Sequence, residues 1–464
     1  MGKEKVIIGF SSGANYIIEK EIGSGGQGKV FSVKGGKYAF KLIGKKTSSK
    51  SQRLKRKISY LKTRPLEDLP ISLPIEQIEG NGLGYIMELA TDMISLEEFI
   101  KPNPEIDFTL WWQETGGLKK RISVLEKIAK TLSDLHSRGF VYGDFSLSNI
   151  FVSEDKDYSE IFFIDADNIT HESRVGTAVY TPGYAAPEII KTDDHQPKSG
   201  YDTYTDNYSF AIIAYQLLTL NHPFIGDYVN EGEPELEEKA YLGMIPWVNH
   251  TKDDINVASS GIPTSLTISK KMMDAFQQTF EKGINQKFKR TSAFKWQEIL
   301  FGALDAIIEC NKSCKQNFFF SKEITCPFCE EQLNFVGIAR IHHLIRGLKD
   351  EIKKSFSVEL KDIENIGRVL TTKIMTPNKY LVFYESDFLL NSSNNELFKI
   401  KIQEDSIFIK GMDLKRVSIV SNKKYKKDVD ISNEIKVTQT EDFTLFYNDV
   451  NKYQRILKLK KYAL

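Results

Sequence analysis

Residues 140–152 read FVYGDFSLSNIFV. Asp144 stands five residues before Asn149, and apolar runs flank the pair on both sides. Just downstream, FFIDAD carries a second apolar run, Phe162 to Ile164, directly into Asp165, with Asp167 as a neighbouring candidate. Upstream, Leu118, Ile122, Leu125, Ile128 and Leu132 recur at helical spacing, and Gly139 predicts the stop. Further on, YTPGYAAPE spans 180–188 and is followed by a strongly apolar helix, NYSFAIIAYQLLTL.

The first 45 residues read differently. Short strand-like runs, NYIIEKEI, GKVFSV and KYAFKLI, alternate with glycine turns. Within them Gly23, Gly25 and Gly28 make G-x-G-x-x-G, a pattern that lets backbone N–H groups approach phosphates closely. Alone this motif is weak, because a glycine hairpin gives the same letters. A dinucleotide fingerprint needs a helix after the glycines, and here two more strands follow. Lys41 then lies on an apolar strand, where an ammonium is costly unless it meets anions.

Glycine loop, strand lysine, D-x4-N, apolar-run Asp, A-P-E, D-x-Y-S and a late arginine occur here in one order. In that order, over residues 10–305, the chain resembles the protein kinases, and the A-P-E segment points to the eukaryotic-like Ser/Thr group. The resemblance implies an α+β, bilobal fold with an N-lobe over about 10–90 and a C-lobe over about 91–305. It implies ATP and Mg2+ as cofactors and a protein substrate, including the chain itself. By resemblance, Lys41 holds the α- and β-phosphates, and Val30 and Ala39 pack on the adenine. Met87 guards the back pocket, Glu88 and Ala90 offer hinge backbone groups, and Phe151 joins the nucleotide-binding set. Asp144 would accept the substrate hydroxyl proton, with Asn149 and Asp165 as magnesium ligands. Thr181 would contact the catalytic loop, Glu188 would pair with Arg290, and Asp206 would cap the central helix and hold the loop backbone. HPF at 222–224 continues the resemblance. Thr170, Ser173, Thr177 and Thr181 are candidate autophosphorylation sites.

The departures matter as much. Gly143 replaces the arginine that meets an activation-segment phosphate, so activation through that contact is not expected. Ser146 replaces a lysine near the γ-phosphate, which predicts modest turnover. Ala166 and Asp167 replace Phe and Gly of D-F-G. No acid occurs between Lys41 and Glu67, so the usual helical glutamate partner of Lys41 is missing, leaving Asp165 or ATP itself. Residues 45–64 are basic instead, either a solvated face or a docking surface for an anionic partner. A small-molecule kinase of aminoglycoside-phosphotransferase type shares G-D in this loop, but generally lacks the glycine loop and A-P-E. An ATP-binding scaffold is the other alternative.

All four cysteines, Cys310, Cys314, Cys326 and Cys329, fall in one C-x3-C-x11-C-x2-C run. Four thiolates on two tight turns suit structural, tetrahedral Zn2+, with no open position for catalysis. This predicts a zinc ribbon over 306–338. The whole chain is similar to a bacterial group of eukaryotic-like kinases that append a cysteine ribbon, which implies signalling or stress-response work and a partner phosphatase.

The segment ARIHHLIRGLKDEIKK predicts a helical connector over 339–355. Adjacent His342 and His343 would not share a helical face, which argues against a metal pair. Runs such as KYLVFYE, ELFKIKI and RVSIVS predict a small all-β domain over 356–464, a candidate surface for homodimer formation. A formal net charge of +1 argues against nucleic acid held by overall charge. The N-terminus has no apolar signal segment, and Val6 stands where a myristoylation signal wants Ser or Thr. No run approaches the roughly 20 apolar residues that span a bilayer, so no membrane association and a cytoplasmic location are expected.

Overall fold

In the computed structural model the chain forms two compact units, Met1–Leu300 and Phe301–Leu464. The structure describes residues 5–463 apart from 26–27, 46, 81, 172–179, 192–199, 311–313, 321–324, 333–334, 345–366, 389–394, 405, 422–423, 439–441 and 448–454.

The first unit opens with an antiparallel sheet of six strands: β1 (Lys5–Ile8), β2 (Asn15–Gly25), β3 (Gly28–Val33), β4 (Tyr38–Lys45), β5 (Pro74–Gln77) and β6 (Gly82–Glu88). Their order is β1-β2-β3-β4-β6-β5, so β1 extends the sheet ahead of the expected start at residue 10. Helix α1 (Ser48–Lys62) buries Leu61 and packs Leu54 and Ile58 against Ala39, Leu83, Tyr85 and Met87. Each such side chain contributes about 1.5–3 kcal/mol on burial. Its other positions are basic or polar and largely exposed, as the missing acids predict.

Glu76 ties β5 to the turn after β1. Its carboxylate, on a residue 3% exposed, accepts bonds from the Ser11 and Ser12 amides, both serine hydroxyls and the Tyr16 hydroxyl, at 2.6–3.1 Å. Burial opposes its ionisation, but the bonds from Ser12 and Tyr16 win and hold it down at about 2. That lies below its ordinary 4.5, so the stabilisation is complete above that value and lost as the pH falls towards 2. Glu76→Gln is therefore expected to cost about 1–3 kcal/mol at pH 7. Thermal unfolding of both proteins across pH 2–7 checks this, with the gap closing at the acid end.

The second half of unit 1 is helical. The helix Gly117–Ser137 buries the expected Leu118, Ile122, Leu125, Ile128 and Leu132. The helix Thr203–Thr219 is buried nearly all round, as its apolar sequence predicts. One expectation changes here. Asp202, not Asp206, caps this helix, in a reciprocal capping box with Thr205. Asp206 lies one turn inside, where its side chain faces the loop at 142–143.

Among the described residues unit 2 contains a short antiparallel pair, Ile307–Glu309 with Asn317–Phe319, and two larger antiparallel sheets. One, of six strands, runs in the order Gly367–Met375, Phe335–Leu344, Arg455–Ala463, Asp442–Tyr447, Arg416–Ser421 and Lys424–Asp430. The other has four: Tyr380–Tyr384, Glu396–Gln403, Ser406–Gly411 and Ile435–Thr438. Ala339, Ile341, Phe398, Ile400, Ile407, Val417, Leu445 and Leu457 meet in a shared core. The expected helix at 339–355 is overturned where it is described. Residues 335–344 form a strand paired on both sides, and 345–355 lie outside the described residues. Val336 and Ile338 to one side and Ala339 and Ile341 beyond are all buried, so no period-two alternation marks the strand. Among the described residues no helix is long and apolar enough to cross a membrane.

Candidate active site

The strand pair Ile150–Ser153 and Ile161–Phe163 matches Ile150 with Phe163. That register brings Asn149 and Asp165 to the same end of the pair. The Ile164 amide donates to the Asn149 carbonyl at 2.9 Å, and the Tyr142 hydroxyl donates to the Ile164 carbonyl. Asp165 itself takes a left-handed backbone, φ +58°, an uncommon conformation for a side-chain-bearing residue and one that clusters at functional sites.

Lys41 reaches this end from β4. Its Nζ lies 2.6 Å from Asp165 Oδ1, with its side chain 2% exposed. Of the two partners the sequence leaves for Lys41, the structure contains Asp165, and α1 presents no carboxylate. β3 and β4 pair Val30 with Lys41, and β4 and β6 pair Ala39 with Met87. Val30, Ala39, Lys41 and Met87 thus share one region of the sheet. Glu88 ends β6, and its carbonyl accepts the Ser72 hydroxyl at 2.8 Å; Ala90 follows two residues on. Phe151 sits half-buried two residues after Asn149. Gly23 and Gly25 pair across the hairpin with Val30 and Gly28. Gly28 has φ +133°, and a Cβ there would lie 2.2 Å from the Leu42 carbonyl oxygen, so only glycine fits. The tip, residues 26–27, lies outside the described residues.

The loop bearing Asp144 is held from three sides. Asp206, fully buried, accepts the Tyr142 amide at 2.7 Å, the Gly143 amide at 3.0 Å and lies 2.9 Å from His136 Nε2. Asn149 Nδ2 donates to the Asp144 carbonyl at 2.8 Å. Thr181 donates to Asp144 Oδ1 through its amide at 2.9 Å and its hydroxyl at 2.8 Å. Ser146 is buried and bonds Ser148 at 3.0 Å, so no ammonium stands at that position. Thr170 is described; Ser173, Thr177 and the Asp167 side chain lie outside the described residues.

Glu188 and Arg290 meet as expected, in two bonds of 2.7 and 2.8 Å. Arg290 also donates to the carbonyls of Gly283 and Tyr204 and lies over the Tyr208 ring. Breaking a buried pair strands the remaining charge, so Arg290→Ala is expected to cost about 3–5 kcal/mol. Denaturant unfolding measures it, and Glu188→Gln should cost less because the amide oxygen still accepts from Arg290, which also keeps its bonds to the Gly283 and Tyr204 carbonyls. In HPF, His222 accepts the Phe224 amide at Nδ1 and donates from Nε2 to the Gly183 carbonyl. Burial holds its pKa down at about 4, so the ring is neutral.

The four cysteines gather in unit 2. Cys310 and Cys329 sulfurs are 3.7 Å apart, Cys314 and Cys326 3.5 Å, and all four lie within 4.8 Å of one another. A tetrahedron with Zn–S bonds of about 2.3 Å requires edges near 3.8 Å, so the set fits zinc. Lys315 and Glu330, directly after Cys314 and Cys329, have φ +53° and +57°, which turns the chain sharply behind each sulfur. Burial pushes the Cys314 and Cys326 thiols up, and a divalent cation supplies the charge that favours thiolate there.

Sequence reasoning did not single out Tyr142 as a strut to Ile164, Asp202 as the cap, or Glu76. Tyr142 and Asp202 act through backbone groups, and Glu76 through amides and hydroxyls 60–65 residues away in the sequence.

Comparison with known proteins agrees with this geometry. The family profile described as "Protein kinase domain" matches residues 16–296. Calcium-dependent protein kinase 5 of Plasmodium berghei (strain Anka) is 26% identical over 221 residues, 46% of this chain and 36% of that protein. Serine/threonine-protein kinase PknG of Mycobacterium leprae (strain TN) is 34% identical over 115 residues, 25% of this chain and 14% of that protein. Protein kinase C delta type of Homo sapiens is 35% identical over 101 residues, 22% of this chain and 14% of that protein. The chain covers well under half the length of these curated relatives. With the profile spanning more than half of the sequence, the chain belongs to the protein kinase family.

Proposed function

We propose that this chain is an ATP- and magnesium-dependent Ser/Thr protein kinase that phosphorylates proteins, itself included. The observation that carries the reading is Asp144, held by Thr181 on Oδ1 and by Asn149 at its own carbonyl, beside the Lys41–Asp165 pair. Asn149 and Asp165 would hold magnesium, a hard cation that takes oxygen ligands, and Lys41 would meet phosphate oxygens. Bound together, the metal and nucleotide supply the phosphoryl group and neutralise its charge. This chain's part is to orient. Asp144 accepts the hydrogen of an incoming Ser or Thr hydroxyl, Thr181 fixes the carboxylate's rotation, and Asp206 fixes the loop beneath it. Zinc on the four cysteines is structural in this reading. A signalling role with a partner phosphatase follows from the resemblance to cysteine-ribbon kinases.

The test is intact mass after incubation with ATP and magnesium, with peptide mapping of any product and an Asp144→Ala control. Mass increments of one phosphate on Ser or Thr of the parent alone support the reading. No phosphate on either protein, with nucleotide binding retained, would replace it by the scaffold or small-molecule kinase.

A further inference from the structure

We infer that the outward face of the four-stranded sheet in unit 2 binds single-stranded nucleic acid. Lys399, Lys401, Lys410 and Lys436 meet its phosphates, and Tyr380 and Phe408 stack on its bases. The site belongs to unit 2 and does not depend on the phosphotransfer reading of unit 1.

The strands lie in the order Tyr380–Tyr384, Glu396–Gln403, Ser406–Gly411, Ile435–Thr438. Side chains alternate between the two faces along each strand. Ile400, Ile402, Ile407 and Ile409 enter the two-sheet core, and Leu381, Ile435 and Val437 pack on it. That sends Lys399, Lys401, Phe408, Lys410 and Lys436 to the opposite face. Register then lines them up. Tyr380 pairs with Lys401, Lys401 with Phe408 and Phe408 with Lys436, one row across all four strands. Lys399 pairs with Lys410 in the next row. Rings and ammoniums lie together. Lys399 and Lys401 Nζ are 4.7 and 4.8 Å from the Tyr380 ring centre. Lys401 and Lys436 Nζ are 4.6 and 5.8 Å from that of Phe408.

Lysine on an edge strand guards against pairing with another chain. Three of these four lysines lie instead on the two central strands, where no edge is open. Lys399 and Lys410 stand directly opposite each other, and like charges so placed destabilise a sheet. Among the described residues none of the four forms an ion pair, and the one acid in these strands is Glu396, at the start of its strand. A bound polyanion turns this repulsion into attraction. Residues 301–464 hold 27 Lys and Arg against 22 Asp and Glu, so the near-neutral whole chain conceals a basic unit 2. The rings choose among polyanions. Strands are spaced about 4.8 Å, which sets Tyr380 and Phe408, two strands apart, about 10 Å from each other. Neighbouring bases in a stacked helix are about 3.4 Å apart, so the rings suit bases splayed from a single strand. Each base displaces an ammonium from a ring and frees it for a phosphate. Carboxylates and bare phosphates use the lysines alone.

The test uses the full-length chain and fluorescein-labelled single strands of mixed sequence, about 12 nucleotides long, one RNA and one DNA. Anisotropy reads binding across a range of salt. Four neutralised phosphates predict a slope of about −3 in log K against log salt, at about −0.7 per phosphate for single strands. The double variant Lys399→Gln/Lys410→Gln should roughly halve that slope. It also removes the opposed charges, so its thermal unfolding should come no earlier than the parent's. Phe408→Leu should weaken binding about 5-fold or more, the scale of one lost base stack, and leave the slope alone. Tyr380→Leu should do the same and decides the matter if Phe408→Leu does not fold. Binding of either strand with these two separate signatures supports the inference. No binding of either strand, a parental slope in the double lysine variant, or parental affinity in both ring variants would overturn it. Displacement of the strand by polyglutamate at equal charge would also overturn it, assigning the lysines to an acidic protein.

Discussion

The Asp144→Ala chain is expected to transfer phosphate about 100- to 10,000-fold more slowly than the parent, the span removed with a general base. Its affinity for nucleotide should barely change, because Lys41, which would meet the phosphates, keeps its pairing with Asp165 at 2.6 Å. Alanine does two things here, since the lost carboxylate also holds Thr181 through two bonds. Asp144→Asn separates them. The amide oxygen still accepts from Thr181, yet it cannot take a proton. If Asn is as slow as Ala, basicity and charge are what Asp144 provides. If Asn keeps most of the parent rate, Asp144 is a strut for the A-P-E segment and the proposed mechanism is wrong. Initial rates with calorimetric nucleotide binding make the measurement.

The polar skeleton of this site was legible because each member is a residue type that physical chemistry confines to few places. A lysine inside an apolar strand, an aspartate ending an apolar run and an arginine late in a helical region all ask for partners. The structure contains the pairs Lys41–Asp165 and Arg290–Glu188. Missing acids were equally readable: α1 shows no carboxylate, so Lys41 turns to Asp165. What escaped depends on the third dimension. The row Tyr380, Lys401, Phe408 and Lys436 reads as scattered residues until strand register sets them side by side. Residues 335–344 escaped for a related reason. A strand with neighbours on both edges and burial on both faces loses its alternation, and ARIHHLI then passes for a helix.

Exchange of Cys326 for serine is expected to abolish zinc binding and to loosen the region around it, with little effect elsewhere. Cys310 and Cys326 are buried with Ile308, Phe318 and Val336, and Cys314 and Cys329 pack against the same cluster. The pairing described here is short: the three-residue strands Ile307–Glu309 and Asn317–Phe319, and a single bridge between Thr325 and Gln332. So small a cluster cannot offset the entropy of ordering its loops, about 1–2 kcal/mol per residue, without a metal tying them. Apparent zinc-binding energies of about 10–16 kcal/mol in isolated finger peptides show what such a tie can supply. The two-sheet core nearby has its own large apolar cluster, so the loss should stay local. Tryptophan placement allows a clean readout. All four, Trp111, Trp112, Trp247 and Trp296, lie before residue 300, so their fluorescence reports unit 1 alone. The parent should carry one zinc per chain by metal analysis. Cys326→Ser, or the parent after strong chelation, should lose at least about 1,000-fold of the hydrogen-exchange protection over 307–319, the scale of a shift from global to local opening. Tryptophan emission should not move. A parent that binds no zinc yet protects 307–319 would make the cysteines plain core sulfurs. A tryptophan shift on chelation would mean that the metal's influence reaches unit 1, contrary to the separate cores.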